Sequence, residues 1–271
     1  MGSGRRGFAL LATLWLVAAL TVLGSVAIGV ARIGSDATRN RVVLARAAWA
    51  REACLAILEA RYAEDSTTRE VDTTDLGRGT WCAATTADPN DRWNVNSTDY
   101  EMLARLLVEL GLTAPARESL IADLIRRQHD GSIVALEQLD SFSSWEPEIR
   151  VRVEPFVTVR GSGAVNLNAA APEVLEALPG FTTETVTVTL SDRDAGRPLS
   201  SLDDLGARLS PGARRSLYGS YEILSRLLIY RPRELTAVIR GGVRGAAPVA
   251  SATLTLVPAP GRLAVLRRES E

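Results

Sequence analysis

The first quarter of the chain carries two apolar patterns that together predict one long helix. No ionisable side chain occurs from Phe8 to Ala31, a run of 24 residues. A helix rising about 1.5 Å per residue needs roughly 20 apolar residues to cross a bilayer, so this run is long enough to span one. The stretch that follows contains no proline as far as about Ala63. Its apolar stripe has helical spacing and comprises Val43, Ala47, Ala50, Cys54 and Ile57. We therefore predict a continuous helix over about residues 8–62, half in lipid and half packed on an exported domain.

A cleaved secretory signal is the main alternative for the first segment, since it also has a basic start and an apolar core. Its core is usually only about 7–15 residues long and ends at a small-residue cleavage site. The longer run here favours a membrane helix that stays in the protein. Arg5 and Arg6 lie on the short N-terminal side, so the positive-inside rule places that end in the cytoplasm. The remainder of the chain is then expected on the far side of the membrane.

Strand patterns lie before and after the middle of the chain. Short polar and apolar runs around Gly77 and Gly79, in "REVDTTDLGRGTWCAATT", predict a β-hairpin. Four β-rich segments near the C-terminus are separated by Arg-Pro, Gly-Gly and Pro-Gly turns: "YEILSRLLIY", "ELTAVIRGG", "ASATLTLVP" and "RLAVLRR". These segments predict an antiparallel sheet packed on the exported half of the long helix, with the middle of the chain inserted into it.

The middle of the chain reads as two copies of one helical plan. Its segments correspond in order: Asn94 and Asn96 to Asn166 and Asn168, Gly111 to Gly180, Gly131 to Gly196, and "LEQLD" at 136–140 to "LSSLD" at 199–203. Each copy predicts a helix, a glycine-centred hairpin, a second helix and a third short helix. We expect Asn168 or a neighbour to cap the helix that Pro172 begins, and Gly180 to end it.

The second copy resembles a helix-hairpin-helix motif, which implies an alternative function as a membrane-anchored DNA-binding protein for DNA uptake. Charge argues against it, because residues 166–205 hold seven carboxylates and two arginines, a balance of −5. Duplex binding depends on basic contacts with phosphates. The hairpin reads "PGFTTE", with Thr182 where DNA-binding hairpins favour a second glycine. With a net charge of −1 for the whole chain, no nucleic-acid partner is expected.

Nothing in the sequence predicts an enzyme. His129 is the only histidine and no recognisable motif ties a serine or cysteine to it. The carboxylate pairs are of the kind that solvate turns or cap helices: Asp88 and Asp91, Asp192 and Asp194, and Asp203 and Asp204. The two cysteines, Cys54 and Cys82, have 27 residues between them and fit no metal-site spacing. In an oxidising compartment a disulfide between them and two packed free thiols are both open.

The start of the chain resembles the class III leader of type IV pilins and pseudopilins, through "RRGF" followed at once by "ALLATLWLVAAL". The resemblance implies a basic leader with Arg5 and Arg6, cleavage between Gly7 and Phe8 by a prepilin peptidase, and methylation of the new terminus. Ala12 occupies the fifth position after the cut, where most relatives carry glutamate. An unpaired charge in lipid costs about 2.5–3.5 kcal/mol, so a glutamate is retained at this position only where a neighbouring subunit's terminal amine pairs with it. Ala12 therefore indicates a subunit at the end of a filament, and the alternative is an ordinary anchored periplasmic protein that never needed a glutamate there.

Taken over nearly its whole length, the chain resembles the protein K family of minor pseudopilins from type II secretion systems. That resemblance implies an α+β fold, with a pilin-like long helix on an antiparallel sheet and an inserted all-α region of two SAM-like, helix-hairpin-helix-like units. It implies a pseudopilus-tip role in which the protein initiates assembly and takes part in protein export. The implied partners are I-type and J-type minor pseudopilins, the major pseudopilin, the inner-membrane assembly platform and the prepilin peptidase, with secreted proteins as further candidates. The implied location is the bacterial inner membrane, with one pass and a periplasmic domain.

The resemblance also divides the chain and raises the question of calcium. The expected segments are a leader at 1–7, a membrane helix at 8–31, the exported helix and first strands at 32–93, helical units at 94–160 and 161–210, and C-terminal strands at 211–271. Family members can hold calcium in an aspartate-rich loop, and the matching loop here is "IRRQHDGS". It keeps only Asp130 as a candidate ligand among basic residues, whereas calcium takes six to eight oxygens. We therefore expect no cofactor, with Asp130 as the weak candidate.

Overall fold

The computed structural model describes residues 4–65, 69–246 and 249–270, with side chains described within these ranges from residue 13 to residue 269. Its helices are α1 (Gly4–Glu64), α2 (Tyr100–Glu109), α3 (Ala114–His129), α4 (Pro147–Val153), α5 (Pro172–Glu176), α6 (Thr183–Asp194), α7 (Leu202–Gly206), α8 (Pro211–Gly219) and α9 (Tyr221–Leu227). Its strands are β1 (Glu70–Gly77), β2 (Thr80–Ala87), β3 (Trp93–Asn94), β4 (Val157–Thr158), β5 (Val165–Asn166), β6 (Leu228–Ile229), β7 (Leu235–Val243), β8 (Ala250–Ala259) and β9 (Arg262–Ser270). Short 3-10 segments lie at Pro89–Asp91, Leu136–Ser141 and Glu154–Phe156.

The predicted long helix is confirmed as a single element. Helix α1 runs for 61 residues without interruption, and at about 1.5 Å per residue its length is roughly 90 Å. Side chains between residues 13 and 46 are almost all exposed, and burial begins at Ala47. The buried stripe then follows a helical period: Ala47, Ala50, Cys54, Leu55, Leu58 and Tyr62. Ile57, predicted to lie on the stripe, is only half-buried because the stripe drifts to Leu58.

A five-stranded antiparallel sheet in the order β1-β2-β7-β8-β9 supports the buried part of α1. The predicted hairpin is confirmed: Gly77, Arg78 and Gly79 all adopt positive φ between β1 and β2. Buried and less buried residues alternate along β7 and β8, so one face of the sheet carries the core that meets α1. The predicted fold class is therefore confirmed.

The predicted Gly-Gly turn is wrong, because Gly241 and Gly242 lie inside β7. A Cβ at Gly241 would lie 2.5 Å from the Ala47 carbonyl oxygen, so glycine lets the backbone of α1 approach the strand. The chain turns instead at Arg244 and Gly245, where Gly245 has a φ of 76°. The glycine pair marks close packing between helix and sheet and not a reversal of the chain.

The middle of the chain forms two helical units, each closed by a short parallel strand pair. In the first unit β3 pairs with β4, and in the second β5 pairs with β6. The second unit therefore extends to Ile229, past the predicted boundary at residue 210. The strand predicted for "YEILSRLLIY" is wrong over most of its length, since Tyr221–Leu227 is helical. Leu224 of this helix is fully buried in the core of the helical units, and only Leu228 and Ile229, at the end of the segment, form a strand.

The two units share one hydrophobic core, separate from the core between α1 and the sheet. The predicted internal repeat is confirmed in element order, with Gly111 and Gly180 at φ 75° and 76° in the two hairpins. The predicted pairing of "LEQLD" with "LSSLD" is shifted. The 3-10 segment Leu136–Ser141 corresponds to α7, so Leu136 matches Leu202 and not Leu199.

Candidate functional site

The first candidate functional feature is the exposed apolar part of α1. Among the described residues, α1 is the one helix long and apolar enough to cross a membrane by length and composition, and its most apolar window is wholly exposed. Large apolar side chains such as Leu14, Trp15 and Leu23 are each more than half exposed. The structure describes side chains only from residue 13 onward, so it gives no information on those of Arg5, Arg6, Phe8 and Ala12. The expected cut after Gly7 lies in the same part of the chain. The cleavage site and the fifth position stay predictions.

The second feature is the joint between α1 and the sheet. Arg268 of β9 donates two hydrogen bonds to the Glu52 carboxylate, at 2.8 and 3.0 Å. These hydrogen bonds lower the pKa of Glu52. Both cysteines lie in the buried cluster of this joint: Cys54 of α1 and Cys82 of β2 are fully buried and are not joined by a disulfide. Burial and contact with the Cys82 thiol raise the pKa of Cys54.

Each helical unit is held together by an asparagine that bridges two segments of its backbone. In the first unit, Asn96 donates to the carbonyl oxygen of Ile133 at 2.9 Å and accepts from the Ile133 N–H at 2.8 Å. In the second, Asn168 makes the same two bonds to Leu199, both at 2.8 Å. These bonds fix the correct register of the repeat. Helix α5 begins at Pro172 as predicted, and of the two alternatives for its N-cap the neighbour Ala171 occupies that position, without a side-chain hydrogen bond, and Asn168 does not.

A second asparagine pair anchors each unit at its entry. Asn94 accepts from the Asn96 N–H at 2.8 Å, and Asn166 accepts from the Asn168 N–H at 3.0 Å. The Asn166 amide also donates to Asp88, which lies just beyond the end of β2. Sequence reasoning found the repeated asparagines but missed this connection to Asp88. The repeated N-x-N spacing was the available signal that these side chains hold backbone.

At least one member of each predicted carboxylate pair bonds to backbone or to arginine. Asp88 accepts from the Asn90 N–H at 2.9 Å, which caps the 3-10 segment that follows β2. Asp192 is 6% exposed and pairs with Arg197 and Arg208. Burial works to raise the pKa of Asp192, but the hydrogen bonds from both arginines outweigh it and leave that pKa lowered. Arg208 also bonds Asp204 at 2.8 Å, so these side chains form one network between α6 and α7.

The loop compared with calcium sites places Asp130 beside two arginines. Asp130 follows the end of α3, and a cavity of about 250 Å³ beside it is lined by Asp123, Arg126 and Arg127. Asp123 accepts from the Ser144 hydroxyl at 2.7 Å and pairs with Arg126 at 3.1 Å, so its oxygens are engaged. Within the described ranges, no group of three or more acidic, histidine or cysteine side chains could hold a metal. His129 is exposed at the end of α3.

The glycine of the hairpin that suggested DNA binding packs closely against another part of the second unit. A Cβ at Gly180 would lie 2.6 Å from the Ser216 carbonyl oxygen and 2.7 Å from the Ser220 hydroxyl, so its apex contacts the end of α8. Pro179 is buried beside it. A phosphate-binding hairpin needs exposed backbone amides at its apex, so this packing adds to the charge argument against a DNA site.

Comparison with known proteins gives a match of fold. Neither the family models nor the curated proteins match this sequence. A chain from the crystal structure of the GspK-GspI-GspJ complex of the type 2 secretion system of enterotoxigenic Escherichia coli superposes with a TM-score of 0.61. The match has 12% sequence identity and covers 86% of this chain and 99% of that chain. The chain thus has the fold of a component of the GspK-GspI-GspJ complex. We call the exposed part of α1 before Ala47 the stalk.

Proposed function

We propose that this protein is a minor pseudopilin of the K type in a type II secretion system. It lies at the tip of the pseudopilus, initiates its assembly and takes part in protein export across the outer membrane without being an enzyme. The observation that carries the proposal is the fold, which covers nearly the whole of a chain from a GspK-GspI-GspJ complex. The apolar, exposed first half of α1 supports it, because such a helix is stable in lipid or against similar helices.

The tip position rests on the residue at the fifth position after the expected cut. A carboxylate there would lie in lipid and would need a neighbour's amine to neutralise it, at a cost of about 2.5–3.5 kcal/mol if unpaired. Ala12 carries no charge, so this subunit needs no subunit in front of it. The location that follows is the inner membrane, with the N-terminus in the cytoplasm and the sheet and helical units in the periplasm.

The partners follow from the same proposal. The first proposed partners are the I-type and J-type minor pseudopilins, since the matching chain comes from a complex that also contains GspI and GspJ. The major pseudopilin, the assembly platform, the prepilin peptidase and, at the exposed helical units, secreted proteins complete the set. Calcium is not proposed, because Arg126 and Arg127 surround Asp130.

The test is mass spectrometry of the N-terminus of the membrane-extracted protein, from cells with and without the prepilin peptidase. We expect a mature chain that begins at N-methylated Phe8 only when the peptidase is present. Gly7→Val is the matched control and should leave Met1 in place, because the peptidase requires a small residue before the cut. An intact Met1 in the unaltered chain with active peptidase would refute the proposal.

The tip position needs its own test, with Ala12→Glu and Ala12→Leu compared for secretion. At a tip, the added carboxylate has no partner in lipid, so we expect Ala12→Glu to reduce secretion and Ala12→Leu to leave it unchanged. Unchanged or improved secretion with Ala12→Glu would show that the subunit has a neighbour in front of it.

The alternative function, DNA binding, has its own test, which is gel-shift titration of the detergent-solubilised chain with duplex DNA. We expect no shift.

A further inference from the structure

The joint between α1 and the sheet holds both cysteines of the chain. Cys54 and Cys82 come from different elements and are both wholly inaccessible to solvent. Both side chains belong to the one buried cluster between α1 and the sheet, and the Cys82 thiol is among the groups that raise the pKa of Cys54. A disulfide requires two cysteines whose Cα atoms lie within about 7 Å, and two buried cysteines on packed elements of one core are candidates for that spacing.

The closeness of the two thiols has a cause in the sequence. Cys82 is paired across the sheet with Gly241 of β7. The missing side chain at Gly241 lets α1 descend until its backbone at Ala47 and Arg51 would touch a Cβ there, at 2.5 and 2.6 Å. One turn further along α1, Cys54 is brought down onto β2 beside that glycine. The strand register and the glycine together place the thiols.

We infer that Cys54 and Cys82 are oxidised to a disulfide. This disulfide fixes α1 to the sheet once the chain folds outside the reducing cytoplasm. The inference uses the location given under the proposed function, but the chemistry depends only on the burial of both cysteines in one core. Because both thiols are buried in the folded chain, the bond forms while the chain is folding.

The reaction balances with a small or enzymatic disulfide as the oxidant. The thiolate of one cysteine attacks the oxidant's sulfur and releases one thiolate from it, which leaves a mixed disulfide. The second cysteine then attacks the protein-side sulfur, forms the Sγ–Sγ bond and releases the oxidant's other half as a thiol. The chain loses two hydrogen atoms, and the oxidant is reduced to two thiols.

A disulfide at this place affects how a force along α1 is transmitted from the membrane to the sheet. The stalk before Ala47 is exposed, so a force along it passes to the sheet through the packed segment between Ala47 and Tyr62. The disulfide prevents that segment from separating from β2. It also closes a loop with 27 residues between the cysteines, which restricts the unfolded chain.

The test is refolding of the purified full chain in detergent, from denaturant and reductant, into a mixture of reduced and oxidised glutathione. Free thiols are then alkylated under denaturing conditions and the chain is digested with trypsin. Cleavage at arginine separates the cysteines into peptides 52–61 and 79–92. We expect these two peptides to be linked and lighter by two hydrogen atoms than the separate reduced pair. Two alkylated cysteines, or glutathione adducts on both, in a chain with native circular dichroism would overturn the inference.

Stability supplies the second readout, and it does not depend on the proposed function. Loop closure of this size predicts that oxidation raises Tm by about 10 °C, and reduction reverses the rise. The double variant Cys54→Ala/Cys82→Ala should show no difference in Tm between oxidising and reducing buffer. Equal Tm values for the oxidised and reduced unaltered chain would show that no bond stabilises the joint.

Discussion

Gly241 is the residue on which the joint between α1 and the sheet most directly depends, and Gly241→Ala is the sharpest test of the fold. The added Cβ would lie 2.5 Å from the Ala47 carbonyl oxygen and 2.6 Å from the Arg51 nitrogen. Ordinary contacts of a Cβ begin at 3.4 Å, so helix and strand must separate by nearly 1 Å. Both atoms are backbone atoms of a helix and cannot rotate away.

The size of the effect follows from two opposing contributions. Overpacking of a close contact costs about 1–3 kcal/mol. Alanine restricts the unfolded chain relative to glycine, which offsets about 0.5–1 kcal/mol of that. We therefore expect Gly241→Ala to lower the free energy of unfolding by about 1–2 kcal/mol, which corresponds to a Tm lower by about 5 °C for a domain of this size.

Two matched substitutions make the result interpretable. Gly242→Ala meets the Trp81 indole at 2.9 Å, and that half-buried side chain can shift, so its cost should be smaller. Gly212→Ala, in the first turn of α8, meets only the Ser210 hydroxyl at 4.0 Å and should raise stability by about 0.5–1 kcal/mol. Thermal and urea unfolding of the full chain in detergent, followed by far-UV circular dichroism, measures all three. If Gly241→Ala were as stable as Gly212→Ala, the close approach of α1 to β7 would be wrong.

Three further predictions concern the helical units and their contacts. Asn168→Ala leaves a buried N–H and carbonyl without partners, so urea unfolding should show a loss of about 2–3 kcal/mol, while a loss below about 0.5 kcal/mol would contradict the bridging role. The pKa of Asp192 is lowered in the folded chain, so its contribution to stability is present above about pH 4 and is lost as pH falls below that value. Asp192→Asn should accordingly be less stable than the unaltered chain at pH 7, with the gap in Tm narrowing in acid; a gap independent of pH would refute this. The ion pair between Arg160 and Glu269, at 2.8 Å, is more than a third exposed on both sides, so Glu269→Gln should change the free energy of unfolding by less than about 1 kcal/mol, and a larger loss would show that this pair holds the helical units to the sheet.

The sequence predicted those elements whose pattern is set by local periodicity. The long helix has no proline and one apolar stripe, so its extent was correct to within a few residues at Glu64. The hairpin at Gly77 and Gly79 and the last three strands follow alternation and turn chemistry. The internal repeat was visible because Asn96 and Asn168 make the same bridging bonds in both units.

The errors arose where tertiary contacts decide the local structure. The segment from Tyr221 to Leu227 was predicted as a strand but is a helix, and its buried residue Leu224 belongs to the core of the helical units. Gly241 and Gly242 look like a turn in sequence, and only the presence of α1 above β7 explains them as strand residues. The link from Asn166 to Asp88 joins residues 78 positions apart, and no local pattern reveals such a pair.

The topology keeps the joint independent of the helical units. Strands β2 and β7 are neighbours in the sheet, and Ala87 pairs with Thr236, so the chain leaves and re-enters the sheet at adjacent points. The inserted units have their own core, and each is closed by its own strand pair. A change inside a unit, such as Asn168→Ala, should therefore leave the contact between α1 and the sheet intact. The core between α1 and the sheet is thus built without residues of the inserted units.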